Sequence, residues 1–115
     1  MAIYIVDDNS DICDFLSFLL SHEGYRVHSF ADPEAALMHM RLKQEQPAML
    51  ITDYNMPKLN GYELHQQVCQ EAPGVKTIII SGRNVSHLVG KLNFLQKPFP
   101  PDHMVKLVNA LCPAD

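Results

Sequence analysis

Ile51-Thr52-Asp53-Tyr54-Asn55-Met56-Pro57, with Gly61 four residues beyond the proline, is the stretch that decides the fold. Ala48-Met49-Leu50-Ile51 is short, apolar and branched enough for a strand buried on both faces. Asn55, Pro57, Asn60 and Gly61 then break it. Asp53 therefore stands where strand becomes loop. In an open parallel sheet the crevice at the carboxyl ends of the strands is where ligands bind, so a carboxylate there has a reason to be functional. Alone it would read as turn chemistry; the rest of the chain shows that it is not alone.

The chain has 115 residues, enough for one core and too few for two, so a single domain over 1–115 is expected. With 47% hydrophobic and 19% charged residues the composition is globular, and no apolar run approaches the ~18 residues of a membrane span. The start Met-Ala-Ile-Tyr-Ile-Val-Asp-Asp has no basic segment, which argues against a secretory signal and makes the cytoplasm the expected compartment. Nine Lys and Arg against thirteen Asp and Glu give a formal charge of −4, with no basic cluster to follow a phosphate backbone. Neither nucleic acid nor membrane is an expected partner. Cys13, Cys69 and Cys112 are odd in number and set among apolar neighbours, which favours buried thiols over disulfides or zinc. The six histidines are scattered, with no supported zinc-ligand spacing, and are expected at surface or boundary positions.

Ile3-Tyr4-Ile5-Val6 reads as a first strand, ended by Asp7-Asp8-Asn9. Ile12, Phe15, Leu16, Leu19 and Leu20 follow the helical period, and Gly24 stops that helix. Arg26 to Phe30 is a weaker strand; Asp32-Pro33-Glu34 then opens a helix running to about Lys43. Asn60-Gly61-Tyr62-Glu63 resembles a capping box, and Pro73-Gly74 ends the helix behind it. Val75 to Ile80 is a β-branched run ending at Ser81-Gly82, and Leu92 to Gln96 a short strand broken at Lys97-Pro98. Asp102 is expected to cap a last helix carrying Met104, Leu107, Val108 and Leu111.

Alternating strands and helices at this spacing imply an α/β fold: a five-stranded parallel sheet with helices on both faces, in the flavodoxin-like order 2-1-3-4-5. Asp7, Asp8, Asp53, Ser81 and Lys97 all lie at carboxyl ends of strands, so one pocket can collect them. Three converging carboxylates repel unless a cation neutralises them. Oxygen ligands alone select a hard ion, and Mg²⁺ suits a few carboxylates plus phosphate oxygens and water. A lysine and a serine hydroxyl complete a phosphoryl site in which an aspartate can attack phosphorus and hold an acyl phosphate.

With those residues in order, and with Met56-Pro57, Gly61 and Lys97-Pro98-Phe99 beside them, the chain resembles the receiver domain of two-component response regulators from Ile3 to Leu111. The resemblance implies that Asp53 takes a phosphoryl group from a sensor histidine kinase or histidine phosphotransfer protein. It also implies that Asp8, Asp53 and the Asn55 backbone carbonyl bind Mg²⁺ directly and Asp7 through water. Lys97 would pair with the phosphoryl group, Ser81 would be the switch hydroxyl and Phe94 the switch aromatic, while Asn55 and Arg83 would tune the acyl-phosphate lifetime. It further implies a cis Lys97-Pro98 peptide bond.

Ser81 and Lys97 are only sixteen positions apart, short for this family, so the fourth helix is expected to be reduced to a turn or replaced by a loop. A dimer through that face is therefore not expected. Arg83 to Lys91, with few apolar residues, is expected to be a mobile segment ordered by phosphorylation. Three rivals stand beside this reading. A haloacid-dehalogenase-type aspartyl-phosphate phosphatase would carry its nucleophile on the first strand. A flavin-binding module would need hydroxyls and amides where Asp7-Asp8 stands. A receiver-like interaction module would never be phosphorylated.

Overall fold

The computed structural model describes residues 2–111. Its elements, in chain order, are β1 (Ala2–Val6), α1 (Ser10–His22), β2 (Arg26–Phe30), α2 (Pro33–Leu42), β3 (Met49–Asp53), α3 (Gly61–Glu71), β4 (Lys76–Ser81), β5 (Asn93–Gln96) and α4 (Pro101–Leu111). The strands form one parallel sheet in the order β2-β1-β3-β4-β5.

The period-two alternation of a strand sorts side chains to the two faces. On one face Ile3, Ile5, Met49, Ile51, Ile78 and Ile80 pack against Cys13, Leu16 and Leu20 of α1 and Met104 and Val108 of α4. On the other, Tyr4, Val6 and Leu50 meet Ala36, Leu37 and Met40 of α2 and Leu64 and Val68 of α3. Every residue of β1 and β3 is buried, which is why both read as continuous apolar runs. Each fully buried Ile or Leu in them contributes roughly 1.5–3 kcal/mol.

The helix ends follow local chemistry. Asn9 caps α1, its side chain accepting from Asp11 N and Ile12 N, and Asp32 caps α2 by accepting from Ala35 N. Asn60 and Glu63 form a complete capping box on α3. At the last helix the expectation is corrected: α4 begins at Pro101, so Asp102 lies in its first turn and does not cap it. A proline fits the first helical position, where its missing N–H leaves no bond unmade.

Between β4 and β5 there is no fourth α-helix, only a single 3-10 turn, Ser86–Leu88. Yet this segment is anchored. Val85 and Val89 are buried at 3% and 1% exposure against Ile79, with Tyr54, Tyr62, Leu92 and Phe94 packed around them. Two valines four apart therefore cover β4.

Cys13 is buried and Cys69 half-buried, both free thiols; the Cys112 expectation lies outside the described residues. Among the described residues no helix is long and apolar enough to cross a membrane.

Candidate functional site

At the carboxyl edge of the sheet, carboxylate oxygens of Asp7, Asp8 and Asp53 lie within 4.8 Å of one another. Asp7 and Asp53 are buried and Asp8 is exposed. Lys97, brought in from the end of β5, sets its Nζ 2.9 Å from Asp7 Oδ2 and 3.5 Å from Asp53 Oδ1. The Lys97-Pro98 peptide bond is cis. Four residues spread over 90 positions thus meet in one pocket, as their strand-end placement requires.

Asp7 is fully engaged: Asn9 N–H donates to its Oδ1 at 2.9 Å while Lys97 takes Oδ2. The Asp53 carboxylate has only the longer contact to Lys97 among the described residues. Burial pushes its pKa up, Asp7 and, more weakly, Asp8 push it further, and Lys97 opposes them. Burial works to lower the Lys97 pKa, but Asp7 and Asp53 outweigh it and raise the value, so the ammonium keeps its charge. The pocket therefore holds more negative charge than its one cation balances, with a half-shielded carboxylate on Asp53.

Gly61 explains how the loop after β3 closes on this site. A Cβ at that position would stand 2.6 Å from the Asp53 carbonyl oxygen and 3.2 Å from Thr52 Cγ2. Gly61 N–H donates to Tyr54 O at 2.9 Å. The start of α3 is thereby drawn against the backbone of Asp53, an approach only glycine permits.

Ser81 ends β4 fully buried, its Oγ accepting from Arg83 N–H at 3.2 Å. Lys97 N–H donates to Ser81 O at 2.8 Å, which locks the ends of β4 and β5 together. Phe94 pairs with Ile79 in register and is half-buried in the cluster of Val85 and Val89. Asn55 and Arg83 have exposed side chains with no side-chain partner among the described residues. The structure therefore joins Asp7, Asp8, Asp53 and Lys97 directly, sets Ser81 on the adjacent strand end, and leaves the Asn55 and Arg83 side chains exposed.

Two features were not read from the sequence. The backbone N–H of Asn9 orients Asp7, and its signal is an aspartate at a strand end, whose side chain can accept from the N–H two residues on in an Asx turn. The histidines are not all isolated: His28 and His39 converge on Glu45 near the opposite end of the sheet, although no sequence spacing announces it.

The sequence model of the response regulator receiver domain family matches residues 3–109. The Arabidopsis thaliana protein named two-component response regulator ARR21 is 31% identical over 109 residues, which cover 91% of this chain and 18% of that protein. A 14.6 kDa uncharacterized protein of Leptolyngbya boryana is 32% identical, covering 97% of this chain and 90% of its own. The chain thus spans less than a fifth of the first of these relatives and nearly all of the second. Among solved structures, the response regulator TrrA of Thermotoga maritima, in complex with Mg²⁺–BeF, superposes with a TM-score of 0.79 at 23% identity, covering 96% of this chain and 97% of that one. Sheet order, the acid–lysine pocket at the strand ends and the family match over nearly the whole chain agree: the chain belongs to the response regulator receiver domain family.

Proposed function

We propose that this receiver domain accepts a phosphoryl group on Asp53 from a phosphohistidine of a sensor kinase or histidine phosphotransfer protein, and that Mg²⁺ is required. The observation that carries the reading is the position of Lys97 Nζ between Asp7 and Asp53 in a pocket of three carboxylates. A carboxylate oxygen of Asp53 attacks phosphorus; the P–O bond forms as the P–N bond to the donor imidazole breaks, and that imidazole takes up a proton. Lys97 meets the charge on the phosphoryl oxygens as a point cation.

The residues fit a hard divalent ion. The donor set is oxygen only, and the surplus negative charge that raises the Asp53 pKa is what such an ion relieves. Asp8, Asp53 and the Asn55 carbonyl would hold it directly. Asp7, with both oxygens already hydrogen-bonded, suits a role through water. When bound, Mg²⁺ neutralises phosphoryl oxygens during transfer.

Ser81 would exchange its Arg83 N–H bond for a phosphoryl oxygen, and the loop through Val85 and Val89 would follow, with Phe94 repacking beside it. Asn55 and Arg83, with exposed side chains, would govern how readily water reaches the acyl phosphate. The donor protein would dock over the apolar groove of about 370 Å³ formed by Ile12, Phe15, Pro98 and Phe99, whose remaining wall is Lys97 itself. The nucleophile's place on β3 and not β1 disfavours the phosphatase reading.

Beryllofluoride with Mg²⁺ tests this. Fluorine NMR should show a bound species with the native chain, and none with Asp53→Asn or without Mg²⁺; a signal that survives Asp53→Asn contradicts the proposal. Asp8→Ala should raise the Mg²⁺ concentration needed more than Asp7→Ala does, as expected for losing a direct ligand.

A further inference from the structure

His28 on β2, His39 in the last turn of α2 and Glu45 just beyond α2 form a second cluster away from the strand-end pocket. Their placement is fixed by the backbone. Gln44 adopts φ 50°, and the chain turns back so that Glu45 N–H donates to Met40 O at 3.0 Å and Gln44 N–H to Arg41 O at 3.3 Å. This pair of bonds is the Schellman pattern that ends a helix, and it aims Glu45 back at β2.

The ligand atoms of the three residues lie within 4.8 Å of one another. His28 Nε2 stands 4.0 Å and His39 Nε2 3.7 Å from Glu45 Oε1. Both distances are too long for hydrogen bonds. Two atoms bound to one tetrahedral Zn²⁺ at ~2.0–2.2 Å stand roughly 3.4 Å apart, so seating the ion requires closures of roughly 0.3 Å for His39 and 0.6 Å for His28 toward Glu45, and of up to about 1.4 Å between the two histidines. The two rings lie side by side, 4.7 Å apart between centroids and tilted by 45°.

Glu45 is also held as a metal-binding carboxylate usually is. The buried Tyr4 donates its hydroxyl to Oε1 at 2.5 Å, and Arg26 caps Oε2. Burial works to raise the Glu45 pKa, but the Tyr4 hydrogen bond, Arg26 and the two histidines outweigh it, and the carboxylate stays ionised. The Tyr4 hydrogen bond is of the kind that orients the ligands of metal sites. The surrounding pocket, about 500 Å³ and open to solvent, leaves room for water on the remaining coordination positions.

We propose that His28, His39 and Glu45 form a binding site for a borderline divalent ion of the Zn²⁺ class, oriented by Tyr4 and separate from the Mg²⁺ pocket. Two imidazoles and one carboxylate select such an ion over Mg²⁺, which prefers oxygen alone. Arg26 and Lys43 beside the site oppose a second positive charge, so the affinity should be moderate, and Arg26→Gln should increase it.

The test titrates Zn²⁺ by calorimetry into the Asp8→Ala/Asp53→Asn chain, whose strand-end pocket is disabled, and into the same chain carrying His28→Gln or His39→Gln. One Zn²⁺ per chain is expected, with at least tenfold weaker binding when either histidine is replaced. In an otherwise native chain both histidine variants should keep the far-ultraviolet circular dichroism and the beryllofluoride response. Loss of stoichiometric binding in the Asp8→Ala/Asp53→Asn parent, or affinity within tenfold of that parent in either histidine variant, overturns the proposal. If a variant fails to fold, Co²⁺ added to the unsubstituted chain decides: visible absorption of a low-coordinate ion displaced by Zn²⁺ but not by Mg²⁺ supports the site, and its absence overturns it. Because Asp53 is disabled in the titration, failure of the phosphorylation reading leaves this outcome unaffected.

Discussion

Asp53 is 8% exposed and shares its pocket with two other carboxylates and one lysine. Burial and Asp7 raise its pKa, so the folded chain holds that proton more tightly than the unfolded chain does. Ionised Asp53 therefore costs stability above its unfolded-state pKa, and the cost is relieved as pH falls through the folded value. Without Mg²⁺, Asp53→Asn should melt at a higher temperature than the native chain near neutral pH, with the difference shrinking toward acid pH; calorimetry showing the variant less stable at neutral pH contradicts this. Gly61 carries the complementary steric constraint. Gly61→Ala forces a Cβ onto the Asp53 carbonyl and should lower unfolding stability by ~1–3 kcal/mol in urea titrations, the usual cost of overpacking. An unchanged midpoint would mean that the α3 start moves freely. The glycine is legible in the sequence as a loop breaker, but its contact with Asp53 depends on the path of the loop and is not.

The element between β4 and β5 shows where sequence patterning needs the sheet to be interpreted. Arg83 to Lys91 is too short and too polar to be read as a helix, and the structure contains only the turn Ser86–Leu88. Val85 and Val89 nevertheless have the i, i+4 spacing of one helical face, and Ile79 gives them a surface to cover. Val89→Ala should cost about 1.5 kcal/mol, two methyl groups at ~0.8 each, and raise hydrogen exchange across the segment. Leu88→Ala, at a residue 47% exposed, should stay within ~0.5 kcal/mol of the native chain. Equal effects at the two positions would show that the segment is not pinned by its buried face. The three central strands were easier to read, because each is a short apolar run cut off by polar residues, whereas β2 and β5 carried weaker signals. The His28, His39 and Glu45 cluster was not readable, because it depends on the register of β2 and on a helix-ending turn at a non-glycine residue.

At the scale of the molecule, the parallel order β2-β1-β3-β4-β5 brings the strand ends to one edge, and this was legible from the alternation of strand and helix signals alone. The same order leaves β5 at the sheet edge with no α-helix between it and β4. Sedimentation with Mg²⁺ and beryllofluoride should therefore show no dimer through that face; a dimer abolished by substitutions on β5 and α4 would contradict the expectation. The central claim is that the carboxyl edge of this sheet is a phosphoryl-accepting site with Asp53 as its one acceptor. Intact mass after incubation with acetyl phosphate and Mg²⁺ tests it most directly. The account predicts one added phosphoryl group on the native chain and none on Asp53→Asn. Equal phosphorylation of the two chains, or none on the native chain while its fold and Mg²⁺ binding are intact, contradicts it.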